Sequence, residues 1–260
     1  MTKKLVILAG GLGTRISEET QAKPKPMVEI GGKPIIWHIM KYYSYFGVNE
    51  FIICCGYKGY MLKEFFHNYF LHLSDVVIDV KNNNLEILRK EELHWKISLI
   101  DTGENTQTGG RLKKISKYID STFFMTYGDG LSDINISELL SFHQDKNKFC
   151  TVSAVNPPAR FGALTINSDS MVTSFNEKPK GDGQFINGGF FVLEPSIFDY
   201  IPDDDFMPWE NLPMHDLAKN NQLAAYKHMG FWQPMDTLRE KNILEDLWIN
   251  NVAPWKLWND

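Results

Sequence analysis

Residues 4–15 read KLVILAGGLGTR. After the lysine the run is apolar as far as Ala9, the pattern of a parallel strand covered on both faces. It then gives way to glycines, a threonine and an arginine, where a strand would turn into a helix. Glycine in that place means a backbone conformation that other residues avoid, or a very close approach to something. The rhythm repeats outward. Residues 34–47, PIIWHIMKYYSYFG, put Ile35, Ile36, Ile39, Met40 and Tyr43 at helical spacing, open on proline and stop at Gly47. EFIICCG (50–56) reads as another buried strand and YMLKEFFHNYF (60–70) as a second amphipathic helix. Strand, helix, strand, helix predicts an α/β fold with a doubly wound, mostly parallel sheet flanked by helices.

Residues 76–101 interrupt that order with a hairpin turning at Asn82–Asn84, followed by the strand KISLID (96–101). A helix resumes over GGRLKKISKYI (109–119), and TFFMTYGDG (122–130) is a strand ending in an exposed Gly-Asp-Gly. From Thr151 the pattern is strand-rich: TVSAV, GALTI, MVTSFNEKP and GGFFVL. The tail, MPWENLPMHDLAKNN (207–221) and TLREKNILEDLWINN (237–251), reads as helical. No Pro/Gly/Ser-rich linker divides the chain, which predicts a single domain over 1–260 with halves of about 1–150 and 151–260.

Composition narrows the functional classes. The 260 residues are 43% hydrophobic and 23% charged with a net charge of -5, so bulk electrostatics argue against nucleic acid as a partner. Three cysteines, two of them adjacent, make no disulfide framework and fit a reduced, cytoplasmic setting. The apolar N-terminal run is too short for a signal peptide or a membrane span, and no later run reaches that length. Seven histidines lack the paired spacing of a zinc site.

The glycine loop itself excludes two familiar motifs. A dinucleotide fingerprint needs a third glycine at Ile16, and a Walker motif needs Gly-Lys-Ser/Thr where Thr14-Arg15 stand. What remains is a loop whose backbone N–H groups, with Thr14 and Arg15, can cradle a polyphosphate; the plain alternative is a tight turn. In KPKPMVEIGGKP (23–34), alternating prolines hold Lys23 and Lys25 extended, so that both can aim at one anion, unless they are solvated on a rigid loop. Asp129 ends a buried strand, where open α/β sheets bind ligands, and its glycine neighbours leave room for a magnesium ion carried in on phosphates; otherwise it is a turn residue. Asp236, in FWQPMD, reads alone as the N-cap of the last helix. Glu177, Lys178 and Asn187 lie beside strand ends, a carboxylate and an amide suited to sugar hydroxyls and an ammonium suited to phosphate. Their alternatives are a solvated Glu–Lys pair and an Asn-Gly turn.

Together these pieces resemble the sugar-phosphate nucleotidylyltransferase family. Its signature stands here as Gly10-Gly11-Leu12-Gly13-Thr14-Arg15, Lys25-Pro26, Asp129 and Glu177-Lys178-Pro179. The segments LAGGLGTRISEET, KPKPMVEIGGKPIIWHIMKYYS, EFIICCGYKGY, TGGRLKK, TYGDG, FNEKPKGDG, INGGFFVL and GFWQPMDTLREK are similar to one subgroup over nearly the whole chain. That subgroup takes CTP and α-glucose 1-phosphate and makes CDP-glucose. The resemblance implies a Rossmann-like, GT-A-like nucleotidyltransferase fold, with the first half binding the nucleotide and the second the sugar phosphate. It implies that Leu8, Ala9, Gly10, Gly11, Leu12, Gly13, Thr14 and Arg15 hold the triphosphate, with Arg15 on the leaving pyrophosphate and Lys25 on the α-phosphate. Thr106, Arg111 and Gly128 would contact the nucleotide, and Glu177, Lys178, Asn187 and Gly188 the sugar phosphate. Asp129 and Asp236 would hold Mg2+, which turns Asp236 from a cap into a ligand. The sequence departs from the subgroup at MPWENLPMHDL, on the sugar side.

No covalent intermediate is expected, because a phosphate monoester is already an anionic nucleophile near neutral pH, its second pKa being about 6. The rival readings are the same reaction with dTTP, UTP or another sugar 1-phosphate, and a non-catalytic nucleotide-sugar sensor. The resemblance also implies a homo-oligomer, with a hexamer as one form, and a place upstream of surface-polysaccharide synthesis. Large apolar groups in 71–100 and in the tryptophan-rich tail are the candidates for subunit contacts.

Overall fold

The alternation read from the first seventy residues is realised. Lys4–Leu8 forms β1, Ile35–Tyr45 α1, Glu50–Cys55 β2 and Gly59–His67 α2. The computed structural model describes residues 4–88, 93–157, 163–166, 168, 170–176 and 185–259. Among these the main elements continue with β3 (Lys96–Asp101), α3 (Thr108–Ile115), β4 (Phe123–Tyr127), α4 (Ile136–Lys146) and β5 (Cys150–Val155). They end with β6 (Ile186–Leu193), α5 (Leu212–Lys219), β7 (Leu223–His228) and α6 (Leu238–Ile249).

These strands make one seven-stranded sheet in the order β7-β5-β6-β4-β1-β2-β3. β1 runs parallel to β2 and β4, β2 to β3, and β5 to β7; β6 alone is antiparallel to both its neighbours. Because β6 inserts between β4 and β5, strands from both halves of the chain share one sheet. The unbroken apolar run of β1 follows from its central place. Leu5 and Ile7 pack into one core with Ile39 and Tyr43, while Val6 and Leu8 pack into the other with Met125 and Phe191. Burying each such side chain stabilises the fold by about 2 kcal/mol.

Smaller features complete the fold, the first of them at the site. Gly130–Ser132, just past Asp129, pairs antiparallel with Trp232–Pro234, just before Asp236. Val76–Asp79 pairs with Asn84–Ile87 as a hairpin outside the main sheet, with Ile78 and Val80 63% and 87% exposed. Its turn lies over 80–83, where Asn83 takes the left-handed conformation, φ 49°, and so ends before Asn84. The tail finds partners within the chain: Trp248, Trp255 and Trp258 gather around His38, and Trp255 is fully buried. In the expected helix over 207–221 only Leu212–Lys219 is an α-helix.

Candidate active site

The loop after β1 lies at the carboxyl edge of the sheet, where ligands enter open α/β folds. It is tied to both neighbouring strand ends: Ala9 N donates to Cys54 O (3.1 Å) and Gly128 N to Leu8 O (3.1 Å). Its glycines have different reasons. A Cβ on Gly10 would lie 2.2 Å from Arg111 Nη1, so the arginine excludes any side chain there. Gly13 has φ +66°, the left-handed region that glycine adopts without penalty. A Cβ on Gly11 would meet nothing within 4 Å, and Gly11 lines a 290 Å³ cavity. The protein interior therefore makes no demand on Gly11; the open cavity beside it is where a close approach would come from. Leu8, Ala9, Gly10, Gly13 and Thr14 line the same cavity, whereas Leu12 is absent from its wall and half-exposed. The backbone of Arg15 belongs to the short 3-10 turn Thr14–Ile16; its side chain, like Glu177 and Lys178 entirely, lies outside the described residues.

Lys25 stands at the centre of the cavity's charge. Pro24 is extended, but a 3-10 turn over Lys25–Met27 interrupts the run, so the two lysines do not aim at one anion as expected. Lys23 pairs instead with Glu29 at 2.9 Å. Lys25 is buried, and its ammonium lies 2.6 Å from Asp129 Oδ2 and 2.5 Å from Asp236 Oδ1. Burial alone would push its pKa down, but Asp129 and Asp236 outweigh burial and hold it above the ordinary lysine value. Asp236 is not a helix cap: Thr237 caps α6 in a capping box with Glu240. The Asp236 backbone N–H also donates to Glu240 (2.8 Å), while the carboxylate points to Lys25.

Two carboxylates converging on one cationic position are a donor set of hard oxygens, which suits a divalent ion such as magnesium. Among the described residues there is no cluster of three or more candidate metal-ligating side chains. Magnesium sites built from one or two carboxylates are completed by water and substrate phosphates, so the pair fits that ion.

The far wall of the cavity is set by α3. Arg111 is buried, and its guanidinium donates to Cys55 O, Gly103 O, Gly10 O, Glu104 O and Thr102 Oγ1, at 2.7–3.1 Å. It thus clamps the glycine loop to the segment after β3. Burial lowers its pKa against neighbouring charges that raise it. Thr106, also buried, lines the cavity and accepts from Lys114 at 3.2 Å. The glycines of TGGR have a packing reason: a Cβ on Gly109 or Gly110 would come within 2.7 Å of Met207 O or 2.8 Å of Asp205 O. Gly128 sits against Pro26, at the root of the Lys25 turn.

A second cavity of 340 Å³ adjoins the first and shares Tyr127, Asp129 and Asp236 with it. Asn187 and Gly188 line it, as do Glu210 and Trp232. Gly188 leaves no room for a Cβ, 2.7 Å from Ser153 Oγ, and its carbonyl accepts from Trp232 Nε1 at 2.7 Å. The structure therefore brings Lys25, Asp129 and Asp236 together on the seam between two cavities. Gly10, Gly11, Gly13, Thr14, Thr106 and Arg111 lie on one side, Asn187 and Gly188 on the other. Tyr127, Thr108, Glu210 and Trp232 also line these cavities, beyond the residues expected from the sequence. Tyr127 sits inside the quoted TYGDG, and Glu210 inside the one stretch that departed from the expected pattern; neither belongs to a motif that spacing alone reveals.

Comparison with known proteins gives a consistent picture. A family model described as Nucleotidyl transferase matches residues 4–233. Glucose-1-phosphate cytidylyltransferase of Salmonella typhimurium is 57% identical over 257 residues, 98% of this chain and 99% of that protein. A probable glucose-1-phosphate cytidylyltransferase of Bacillus subtilis is 47% identical over 258 residues, 98% of this chain and 100% of that protein. Among solved structures, HddC from Yersinia pseudotuberculosis aligns with a TM-score of 0.67 at 25% identity, covering 95% of this chain and 100% of that one.

Proposed function

The chain belongs to the nucleotidyl transferase family, and from that premise we propose that it transfers CMP from CTP to α-glucose 1-phosphate, giving CDP-glucose and pyrophosphate. The observation that carries this reading is the Lys25–Asp129–Asp236 cluster on the seam of two adjoining cavities, one behind the glycine loop and one beside Asn187. The near-complete cover of two cytidylyltransferases supports the choice of base and sugar. Residues 1–260 act as one nucleotidyltransferase unit, nucleotide on the first half and sugar phosphate on the second.

The obstacle to the reaction is the meeting of two polyanions in line. An oxygen of the sugar phosphate forms the new bond to the α-phosphorus as the bond to the bridging oxygen breaks and pyrophosphate leaves. Backbone N–H groups of residues 10–14 hold the triphosphate, with Leu8 and Ala9 lining the wall beside it, and Arg15 holds the departing pyrophosphate. Lys25, kept protonated by its two carboxylates, offsets charge on the α-phosphate, and fixed loops supply the alignment. Thr106, Arg111 and Gly128 shape the nucleotide wall; Glu177, Lys178, Asn187 and Gly188 orient the sugar phosphate. Asp129 and Asp236 would hold Mg2+, which would supply neutralisation of phosphate charge and Lewis-acid polarisation there.

The exposed apolar side chains of the 76–87 hairpin support a homo-oligomer, since an isolated two-stranded hairpin is marginal by itself. Buried, unpaired Cys54, Cys55 and Cys150 support a cytoplasmic setting, and among the described residues no helix is long and apolar enough to cross a membrane. The product is the kind of activated sugar that surface-polysaccharide synthesis consumes. Pyrophosphate release with Mg2+, glucose 1-phosphate and each nucleoside triphosphate in turn tests the reading. Release is expected fastest with CTP. A preference for dTTP or UTP keeps the mechanism and overturns the base, and nucleotide binding without release for any sugar phosphate overturns the enzyme in favour of a sensor.

A further inference from the structure

Outside the Lys25 cluster, one carboxylate touches both sides of the seam. Glu210 stands just before α5, on the wall of the second cavity. Its Oε2 accepts from Thr108 Oγ1 at 2.7 Å, and Thr108 is the first residue of α3 and lines the first cavity. Its Oε1 accepts from the Tyr127 hydroxyl, whose residue belongs to both walls. On the near side, Thr108 Oγ1 accepts from Trp209 N (2.8 Å). On the far side, the Tyr127 hydroxyl accepts from Asn187 Nδ2 (3.4 Å), and Asn187 Oδ1 accepts from Gly189 N (2.8 Å).

Each link has a forced direction. A backbone N–H only donates, so Gly189 decides which end of the Asn187 amide is the oxygen. A carboxylate only accepts, so Glu210 accepts hydrogen bonds from the hydroxyls of both Tyr127 and Thr108. A tyrosine phenol keeps its proton up to about pH 10, so that hydrogen bond is available to Glu210 at any working pH. The carboxylate is also held in place. Trp209 beside it is fully buried, and the backbone of residues 205–209 lies directly on Gly109 and Gly110 of α3.

We propose that Glu210 is a positioning residue for the hexose phosphate. By accepting the Tyr127 hydrogen bond it fixes where that hydroxyl points its proton, beside an Asn187 amide already oriented by Gly189, and so selects among sugar hydroxyl arrangements. An amide at position 210 can turn either way, and the wall then loses its single polarity. This rests on the reading of the second cavity as the sugar-phosphate side.

The test is calorimetric titration of the full chain with glucose 1-phosphate, galactose 1-phosphate, mannose 1-phosphate and, separately, CTP. It is run on the wild type, Glu210→Gln, Tyr127→Phe and the double variant. Glu210→Gln is expected to shrink the preference for glucose 1-phosphate over its epimers roughly tenfold, the scale of a charged hydrogen bond. CTP affinity should stay within about twofold, with the melting temperature unchanged. In the Tyr127→Phe background the same change should have no further effect on the preference, because the proton it acts through is gone. Equal preference in wild type and Glu210→Gln overturns the proposal, as does a loss of CTP affinity, sugar affinity and melting temperature together, the mark of a loop tether only. A wild type that binds CTP but no sugar phosphate overturns the functional reading itself and this proposal with it.

Discussion

Lys25 and Arg111 are both buried cations on the wall of one cavity, yet their surroundings are opposite. Lys25 faces two carboxylates that raise its pKa above the lysine norm against burial. Arg111 is lowered by burial and spends its fork on four carbonyls and a hydroxyl drawn from three separate segments. An ammonium on a flexible stem can leave two carboxylates for a phosphate, and the carboxylates then suit a metal ion. A planar guanidinium that leaves its carbonyls orphans buried acceptors in several places at once. Lys25 is thus placed to take part in chemistry, and Arg111 to hold the room in which chemistry occurs.

The sharpest way to break this comparison is Lys25→Ala. Turnover should fall by about 10²–10³-fold, as for other preorganised charge-stabilising groups, while circular dichroism and the melting temperature show a folded chain. A collapse of the fold with catalysis intact in what remains would reverse the assignment. Asp129→Asn should cost about 10²-fold in kcat by removing one of the two converging carboxylates. A near-wild-type rate in the folded variant would remove Asp129 from the metal pair. Arg111→Lys should do the opposite of Lys25→Ala. It destabilises by roughly 3 kcal/mol because carbonyls lose their donors, read as a lower urea midpoint.

His38 sharpens the comparison as a buried base that is denied charge altogether. It is fully buried, and its Nε2 faces the carbonyl of Ile30 at 2.8 Å, so Nε2 carries the proton and Nδ1 accepts from Trp255 Nε1 (3.3 Å). Burial lowers its pKa to about 4. The unfolded chain, with an ordinary histidine near 6.5, binds the proton first on acidification. Stability is therefore full above about pH 6.5 and declines towards pH 4, by at most about 3 kcal/mol. Urea midpoints across that range check it, with His38→Gln expected to flatten the slope. The smallest effect is Thr237→Ala, about 1 kcal/mol from loss of the cap of α6. It should lower kcat only slightly, since Asp236 keeps its backbone bond to Glu240.

The central strands and helices were legible because their signal is local and periodic. β1 shows its burial on both faces as an unbroken apolar run, and α1 shows its core face at Ile35, Ile36, Ile39 and Met40. Shorter-range detail was less secure. Asp236 looked like a cap because it precedes a helix by position, yet Thr237 with Glu240 three residues on has the better capping geometry. Lys25 looked extended because prolines flank it, but a proline presets only its own φ and restrains the residue before it, leaving room for a 3-10 turn.

The sequence by itself determined an α/β order, a glycine loop at the end of its first strand, and a set of charged residues at strand ends. It could do so because helices, strands and turns are chosen by neighbours a few residues apart. The resemblance puts Asp129 and Asp236 on one ion, but only the tertiary structure decided how they meet. The short pairing of Gly130–Ser132 with Trp232–Pro234 carries no periodic signal, and it is that pairing which brings the two carboxylates onto one ammonium. The same holds for the five bonds of Arg111 and for Glu210 between Thr108 and Tyr127. Contacts across a sheet edge depend on how whole elements pack, and side chains so far apart in the chain leave no common pattern in it.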